Sequence, residues 1–211
     1  MKIVFYVLLA FWVSLYSHFA LAQMQEEKYD NGQVKAVGEL QNGKKEGDWL
    51  YYYPSGNKSA EETYADGQLD GIVKYYDEEE NLIAEESWKN GLQSDSSYYY
   101  HSNGQLEKKG IFVNGLYEGY WVFYDETGIL IREGEYEGGL PNGHWKTYDE
   151  KGIIIQSGDY LDGLEHRLWK FYNKKGELEY EGRYDKGEAV GDWYSYNKKG
   201  KKIPINPRNQ P

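Results

Sequence analysis

Apolar and polar positions along this chain repeat on two scales. Within short stretches they alternate, and the stretches themselves recur every 24 residues. Tyrosine marks the beat at Tyr52, Tyr76, Tyr100, Tyr124, Tyr148, Tyr172 and Tyr196. A strict period without insertion is the signature of one supersecondary unit stacked on copies of itself. Alternation predicts strand, because successive side chains of a strand point to opposite faces of the sheet. No segment of the array has helical periodicity.

The unit from Tyr124 to Tyr148 shows how each copy is expected to fold. Asp125-Glu126-Thr127-Gly128 is turn chemistry, since Gly128 takes a positive φ without steric cost. Ile129 to Glu137 reads as a strand, Gly138 to Asn142 as a second turn, and Gly143 to Tyr148 as a shorter strand. One strand face carries Leu130, Arg132, Gly134 and Tyr136. The other exposes Glu133, Glu135 and Glu137, which predicts an acidic outer face. Gly38, Gly110, Gly134, Gly158 and Gly182 fall in mid-strand, where glycine is unfavourable unless another group needs its space. Trp49, Trp121, Trp145, Trp169 and Trp193 are the natural occupants, each lying flat over a missing side chain.

The expected fold class is therefore all-β: an elongated single-layer antiparallel β-sheet solenoid of seven 24-residue β-hairpin repeats. The repeats start at residues 28, 52, 76, 100, 124, 148 and 172, within an array over 23–200. Fourteen strands at ~4.8 Å spacing would make a twisted ribbon on the order of 65 Å long. The tail, 201–211, holds three of the five prolines and is expected to fray. Open edges at Lys28 and near Tyr196 offer a route to end-to-end self-association.

The unit resembles the MORN repeat, a hairpin reading G-x-Y/F, then x-x-G, then G-x-W-x-x-Y. This chain has Gly134-Glu135-Tyr136, Gly139 and Gly143-His144-Trp145-Lys146-Thr147-Tyr148. The copy at Tyr172 has Gly182-Arg183-Tyr184, Gly187 and Gly191-Asp192-Trp193-Tyr194-Ser195-Tyr196. The match runs from about Lys28 to Gly200. The 24-residue spacing is similar to that of the bacterial MORN variant, including the antitoxin-like proteins of the YwqK type. The resemblance implies a binding or scaffolding module without catalytic residues. It also brings in phospholipid binding, which the charge of this chain opposes.

Composition sharpens this picture. The formal net charge is −11, with no basic stripe of the kind nucleic acid requires, and anionic lipid would repel it. There are no cysteines, which removes thiol catalysis and thiolate metal sites. Among 211 residues, 23 are tyrosine and 7 tryptophan, so aromatic rings must build the core that aliphatic side chains are too few to build. His101, His144 and His166 occupy three different offsets of the unit, read as a turn, a strand and a loop, and form no metal pair. Asp77-Glu78-Glu79-Glu80 reads as a solvated acidic turn. No nucleophile motif or phosphate loop is present, so no enzyme activity, cofactor or metal is expected.

At the start, Met1-Lys2, the apolar run Ile3 to Val13, and Ala20-Leu21-Ala22 have the form of a signal peptide over 1–22. Export is expected, with an uncleaved anchor as the alternative.

Function has one local signal, which is where the repeat decays. Glu62 and Glu86 stand where the strand glycine belongs, Val73 and Ser97 where tryptophan belongs, Glu80 and Asp95 where turn glycines belong. Tyr51-Tyr52-Tyr53, Tyr75-Tyr76 and Tyr98-Tyr99-Tyr100 cluster around them. Consecutive tyrosines face both ways, so some are expected to be exposed for recognition. The candidate interaction surface is Tyr51, Tyr53, Tyr75, Tyr99, Glu62, Glu86 and Asp95. The partner expected is a protein. A glycan or cell-wall polymer, or a toxin bound in antitoxin or immunity fashion, are the alternatives.

Overall fold

The computed structural model describes residues 23–206. The signal-peptide reading and the last five residues of the tail lie outside them. The described chain is seventeen strands: β1 (Gln23–Lys28), β2 (Val34–Gln41), β3 (Lys44–Tyr52), β4 (Lys58–Ala65), β5 (Gln68–Leu69), β6 (Gly71–Tyr76), β7 (Leu82–Lys89), β8 (Leu92–Tyr100), β9 (Leu106–Val113), β10 (Leu116–Tyr124), β11 (Leu130–Glu137), β12 (Leu140–Tyr148), β13 (Ile154–Leu161), β14 (Leu164–Tyr172), β15 (Leu178–Asp185), β16 (Glu188–Tyr196) and β17 (Lys202–Ile205). Each pairs antiparallel with the next in chain order, except that β5 and β6, split at Asp70, both pair with β4. The result is one open sheet bounded by β1 and β17.

Two turns alternate along it. The hairpin turn is only two residues long, as in Asn42-Gly43, Asn114-Gly115 and Asp162-Gly163, with both residues at positive φ. That is the backbone twist which fits a two-residue hairpin to right-twisted strands. The other turn closes with paired backbone bonds, Asp125 N–H to Ile129 O and Gly128 N–H to Asp125 O. In four copies the leading Asp or Asn caps its own turn. Asp149 Oδ1, for example, accepts from the N–H groups of Lys151 and Ile153.

The second turn is thus shorter, and the following strand longer, than the sequence suggested. Gly143 does not begin the strand. It sits at φ 80° inside β12, at a bulge where the register slips between Glu133 and Glu135 of β11. The same place holds Gly47, Gly119 and Gly191, but also Asp95 and Arg167, at φ 63° and 61°. This bulge places His166 on strand β14 rather than in a loop. A further correction concerns the tail. Instead of fraying, Lys202–Ile205 adds β17 to β16, with Trp193 opposite Ile205, because Asn197 caps one more turn of the same form. The sheet ends at Gln23–Lys28 and Lys202–Ile205, not at Lys28 and Tyr196. Pro204 removes one N–H donor from that edge, which blunts it for pairing.

The core is a row crossing the strands at right angles, in which tryptophan and glycine alternate except between Trp49 and Gly110. Trp49, Trp121, Trp145, Trp169 and Trp193 are at most 2% exposed. A Cβ added at Gly134 would lie 2.1 Å from the ring of Trp145, and at Gly182 2.0 Å from that of Trp193. Each indole is closed in by ring edges. Tyr136 and Tyr160 meet Trp145 edge-on at 5.0 and 6.0 Å, and Tyr160 and Tyr184 do the same for Trp169 at 5.0 and 6.1 Å. Trp145 Nε1 donates to Glu135 O at 2.9 Å, and Trp49, Trp121 and Trp169 make the same bond. Single-layer sheets lack a second layer to cover them, so here the tyrosines of the adjoining row on the same face cover the indoles.

The opposite face is mixed rather than acidic. Its central row runs Glu61, Lys74, Glu85, Tyr98, Lys109, Val122, Glu133, Lys146, a ladder in which opposite charges face each other. Glu133 is held there by Tyr120, Tyr148 and Lys146.

Four outcomes follow. Trp145→Ala is expected to cost roughly 3–5 kcal/mol in denaturant unfolding, and Gly134→Ala to destabilise through its clash with Trp145. The double change Gly134→Glu with Trp145→Ser should be less harmful than the sum of its parts, a coupling that a double-mutant cycle measures. Arg167→Gly should stabilise by about 1 kcal/mol, since it relieves a left-handed side chain. A fall in the unfolding midpoint would contradict this.

Candidate functional site

In the second and third units the Trp-over-Gly arrangement is replaced, and the replacement is paired. Glu62 takes a glycine place and Val73 the next tryptophan place. Glu86 and Ser97 repeat the exchange. Val73 and Ser97 are completely buried and Glu86 is 8% exposed. A long side chain on one strand and none on its neighbour becomes two of moderate size. Packing is kept, but two carboxylates now stand in the row that elsewhere holds indoles.

Two residues along the strands, on the same face, runs a parallel row. It reads Ala36, Tyr51, Ala60, Tyr75, Ala84, Tyr99, Lys108, each opposite the next. Ala36, Ala60 and Ala84 are buried. Tyrosines two strands apart are about 10 Å apart, so Ala60 and Ala84 floor open slots between ring walls. The first slot forms a groove of about 370 Å³ lined by Tyr51, Ala60, Glu62, Tyr75 and, at its end, Tyr53 and Tyr76.

The polar groups of this face are knitted together. Lys45 Nζ donates to Tyr51 Oη at 2.5 Å, Tyr51 and Tyr64 share a bond of 3.1 Å, and Tyr64 Oη donates to Glu62 Oε2 at 2.5 Å. Glu86 accepts from Trp88 Nε1 at 3.0 Å and from Tyr99 Oη at 2.9 Å. Ser97 Oγ is buried without a hydrogen-bond partner. Burial, and then the charges of Glu86 and Glu62, push the Tyr75 phenol up to about 12. Burial and the bond to Glu62 do the same to Tyr64.

Of the seven residues singled out in the sequence, Tyr51, Glu62, Tyr75, Glu86 and Tyr99 come together here. Tyr53 lines the groove, but its hydroxyl is tied to Tyr76 O at 2.7 Å, the same staple that Tyr29 and His101 make one unit on. Asp95 turns its carboxylate back onto Ser96 N–H. The clustered tyrosines are half-buried, none exposed. The sequence reading missed Lys45, Lys108 and the alanine floor. Their signal was present, as one offset of the unit reading Ala36, Ala60, Ala84 and then Lys108, Arg132.

Among the described residues no group of three or more His, Asp and Glu could hold a metal ion. Asp77, in the densest acidic stretch, is used to cap its own turn through Glu79 and Asn81 N–H.

Comparison with known proteins now has a geometry to meet. The MORN repeat variant family matches at residues 45–66, 69–90, 96–114, 117–137 and 141–162. The chain belongs to this family. Each matched segment centres on the longer of the two turns and takes in the strand on either side of it, including the two segments with Glu in the glycine place. The MORN hairpin continues past the last match, since Trp169 of β14 lies over Gly158 of β13 and Trp193 of β16 over Gly182 of β15. The MORN repeat is a non-catalytic module, and this chain is accordingly no enzyme. No curated protein matches the sequence. Among solved structures, the Photorhabdus luminescens Tc holotoxin pore is 16% identical over 85% of this chain, with a TM-score of 0.24. The TcdB2-TccC3-Cdc42 crystal structure is 16% identical over 82%, with a TM-score of 0.23. This chain spans 12% of the length of either, and at those scores the likeness carries no argument.

The raised phenols give a pH dependence. A tyrosine that the fold keeps protonated contributes stability that is full below the unfolded value of 10.0 and is lost as pH rises through about 12. Denaturant midpoints should therefore fall between pH 10 and 12, and less steeply in Tyr75→Phe. Tyrosinate absorbance that completes near pH 10 with the fold intact would contradict this.

Proposed function

We propose that this protein is an exported, non-enzymatic protein-binding module whose contact surface is the tyrosine face of β3 to β9. The observation that carries this is the paired exchange of Trp and Gly for carboxylates beside tyrosine slots. It is confined to adjacent units of an otherwise regular array. Repeat proteins bind along the extended surface that stacking creates, and half-buried tyrosine with a fixed hydroxyl is a favoured recognition residue. Export rests on the leader pattern over 1–22. The glycan alternative rested on repeated Trp and Tyr beside carboxylates, and it is weakened because all five repeat tryptophans are buried.

The test is site-specific photocrosslinking in the native host, with the photoreactive residue at Ser59 in the groove or at Leu168 on the opposite face. A discrete protein adduct is expected from position 59, lost in Tyr75→Ser with Tyr99→Ser, and none from 168. Adducts arising only from position 168, or only with polysaccharide, would overturn the reading.

A further inference from the structure

Three tyrosines stand in one cross-strand row, and the outer two already hold an ammonium group from the chain itself. Lys45 Nζ lies 4.9 Å from the ring centre of Tyr51 and bonds its hydroxyl. Lys108 Nζ lies 4.4 Å from the ring centre of Tyr99, whose hydroxyl also accepts from Gln93. Tyr75, between them, has neither. The offsets of the repeat explain this. Lys45 and Gln93 each precede their tyrosine by six residues, and the residue six before Tyr75 is Leu69. Lys108 follows Tyr99 by nine residues, and the residue nine after Tyr75 is Ala84. Among the described residues, the Tyr75 hydroxyl has no hydrogen-bond partner and no cation lies over its ring.

The surroundings of Tyr75 favour positive charge. Glu62 and Glu86 are the carboxylates that act on its phenol, and the ring face itself attracts cations through its quadrupole. The slot is open on the solvent side and apolar at its floor, where a long aliphatic stem can lie while its charged head reaches the ring. The net charge of −11 draws basic rather than acidic partners.

We infer that the place over Tyr75, floored by Ala60 and Ala84 and flanked by Glu62 and Glu86, receives a lysine or arginine side chain of a basic segment in a protein partner. The inference rests on the reading of this face as the interface and names its chemistry. Tyr51 with Lys45, and Tyr99 with Lys108, are the same contact made internally.

The probe is a tetralysine peptide, with its fully acetylated form as the neutral control. Each is titrated into the purified protein and followed by aromatic-ring NMR. Saturable shifts centred on Tyr75 are expected with tetralysine and none with the acetylated peptide. Glu62→Gln with Glu86→Gln, which keeps the shape of both side chains and removes their charge, should weaken binding by about tenfold or more. Leu69→Lys is the decisive variant, since it places an internal ammonium where Lys45 sits one unit earlier. It should leave the backbone spectrum intact and abolish the Tyr75 response. Unchanged binding by Leu69→Lys, equal binding of the acetylated peptide, or Tyr75 shifts produced by a cell-wall oligosaccharide and not by tetralysine would overturn the inference. A position-59 adduct that persists in Leu69→Lys would remove the cation site and leave the interface standing. Tetralysine binding at Tyr75 without any adduct would do the reverse.

Discussion

An indole ring lying on a glycine is the contact on which this structure depends. A sheet one layer thick has no partner layer to bury its apolar face, and its strands contact little beyond their immediate neighbours. The chain solves this within the face itself. Gly134 gives up its side chain so that Trp145 can lie down, and Tyr136 and Tyr160 then close the sides. Flat rings make the row continuous, and continuity fixes the period. One residue more or less in a unit would move its tryptophan to the opposite face, because a strand alternates every residue. The strictness of the 24-residue spacing is therefore a packing requirement.

The same constraint explains what could be read from the sequence. The five mid-strand glycines and the five tryptophans each made sense only as partners, so architecture, core and pairing followed from their positions. Other features depend on backbone choices that residue type does not decide. Gly139 and Gly143 look alike in sequence, yet one closes a two-residue turn and the other bends a strand. Arg167 occupies that bend without glycine at all. The tail looked like a proline-rich end, but Ile203 and Ile205 had a strand edge to meet once Asn197 had capped its turn. The outer face was misjudged from the glutamates of one strand, since the lysines that answer them lie on neighbouring strands. At the site, Glu62 and Glu86 were visible as departures, whereas Lys45 and Lys108 acquire meaning only when cross-strand rows replace linear order.

The exchanges at Glu62–Val73 and Glu86–Ser97 show how far the row can be altered. Trp-over-Gly places all the volume on one strand, and the altered pairs divide it between two. Within one hairpin, a glutamate under an intact tryptophan would clash, and a serine over glycine would leave a cavity of a kind that costs several kcal/mol. Both members of each such pair are exchanged together, while across the joins to the intact units Trp49 stands opposite Glu62 and Ser97 opposite Gly110. Glu86 is also satisfied by Trp88 and Tyr99, which a buried carboxylate requires. On this face, among the described residues, Ser97 Oγ, which is buried, and the Tyr75 hydroxyl, which lies in the open slot, are left without a hydrogen-bond partner.

Position within the array matters as much as chemistry. In a stack where each unit is stabilised chiefly by its neighbours, a weakened pair of units survives best between intact ones. Trp49 over Gly38 precedes the altered segment and Trp121 over Gly110 follows it, and both indoles are fully buried. A contact surface placed at either end of the sheet would have one such neighbour and would fray. Placed between two clamps, it can exchange aromatic cover for carboxylates and open slots while its backbone ladder stays continuous. This explains why polarity enters the core row in the interior of the array, and why it enters as adjacent units. Two slots sharing one tyrosine wall need three strands' worth of tyrosine and two alanine floors, which is what β3 to β8 provide.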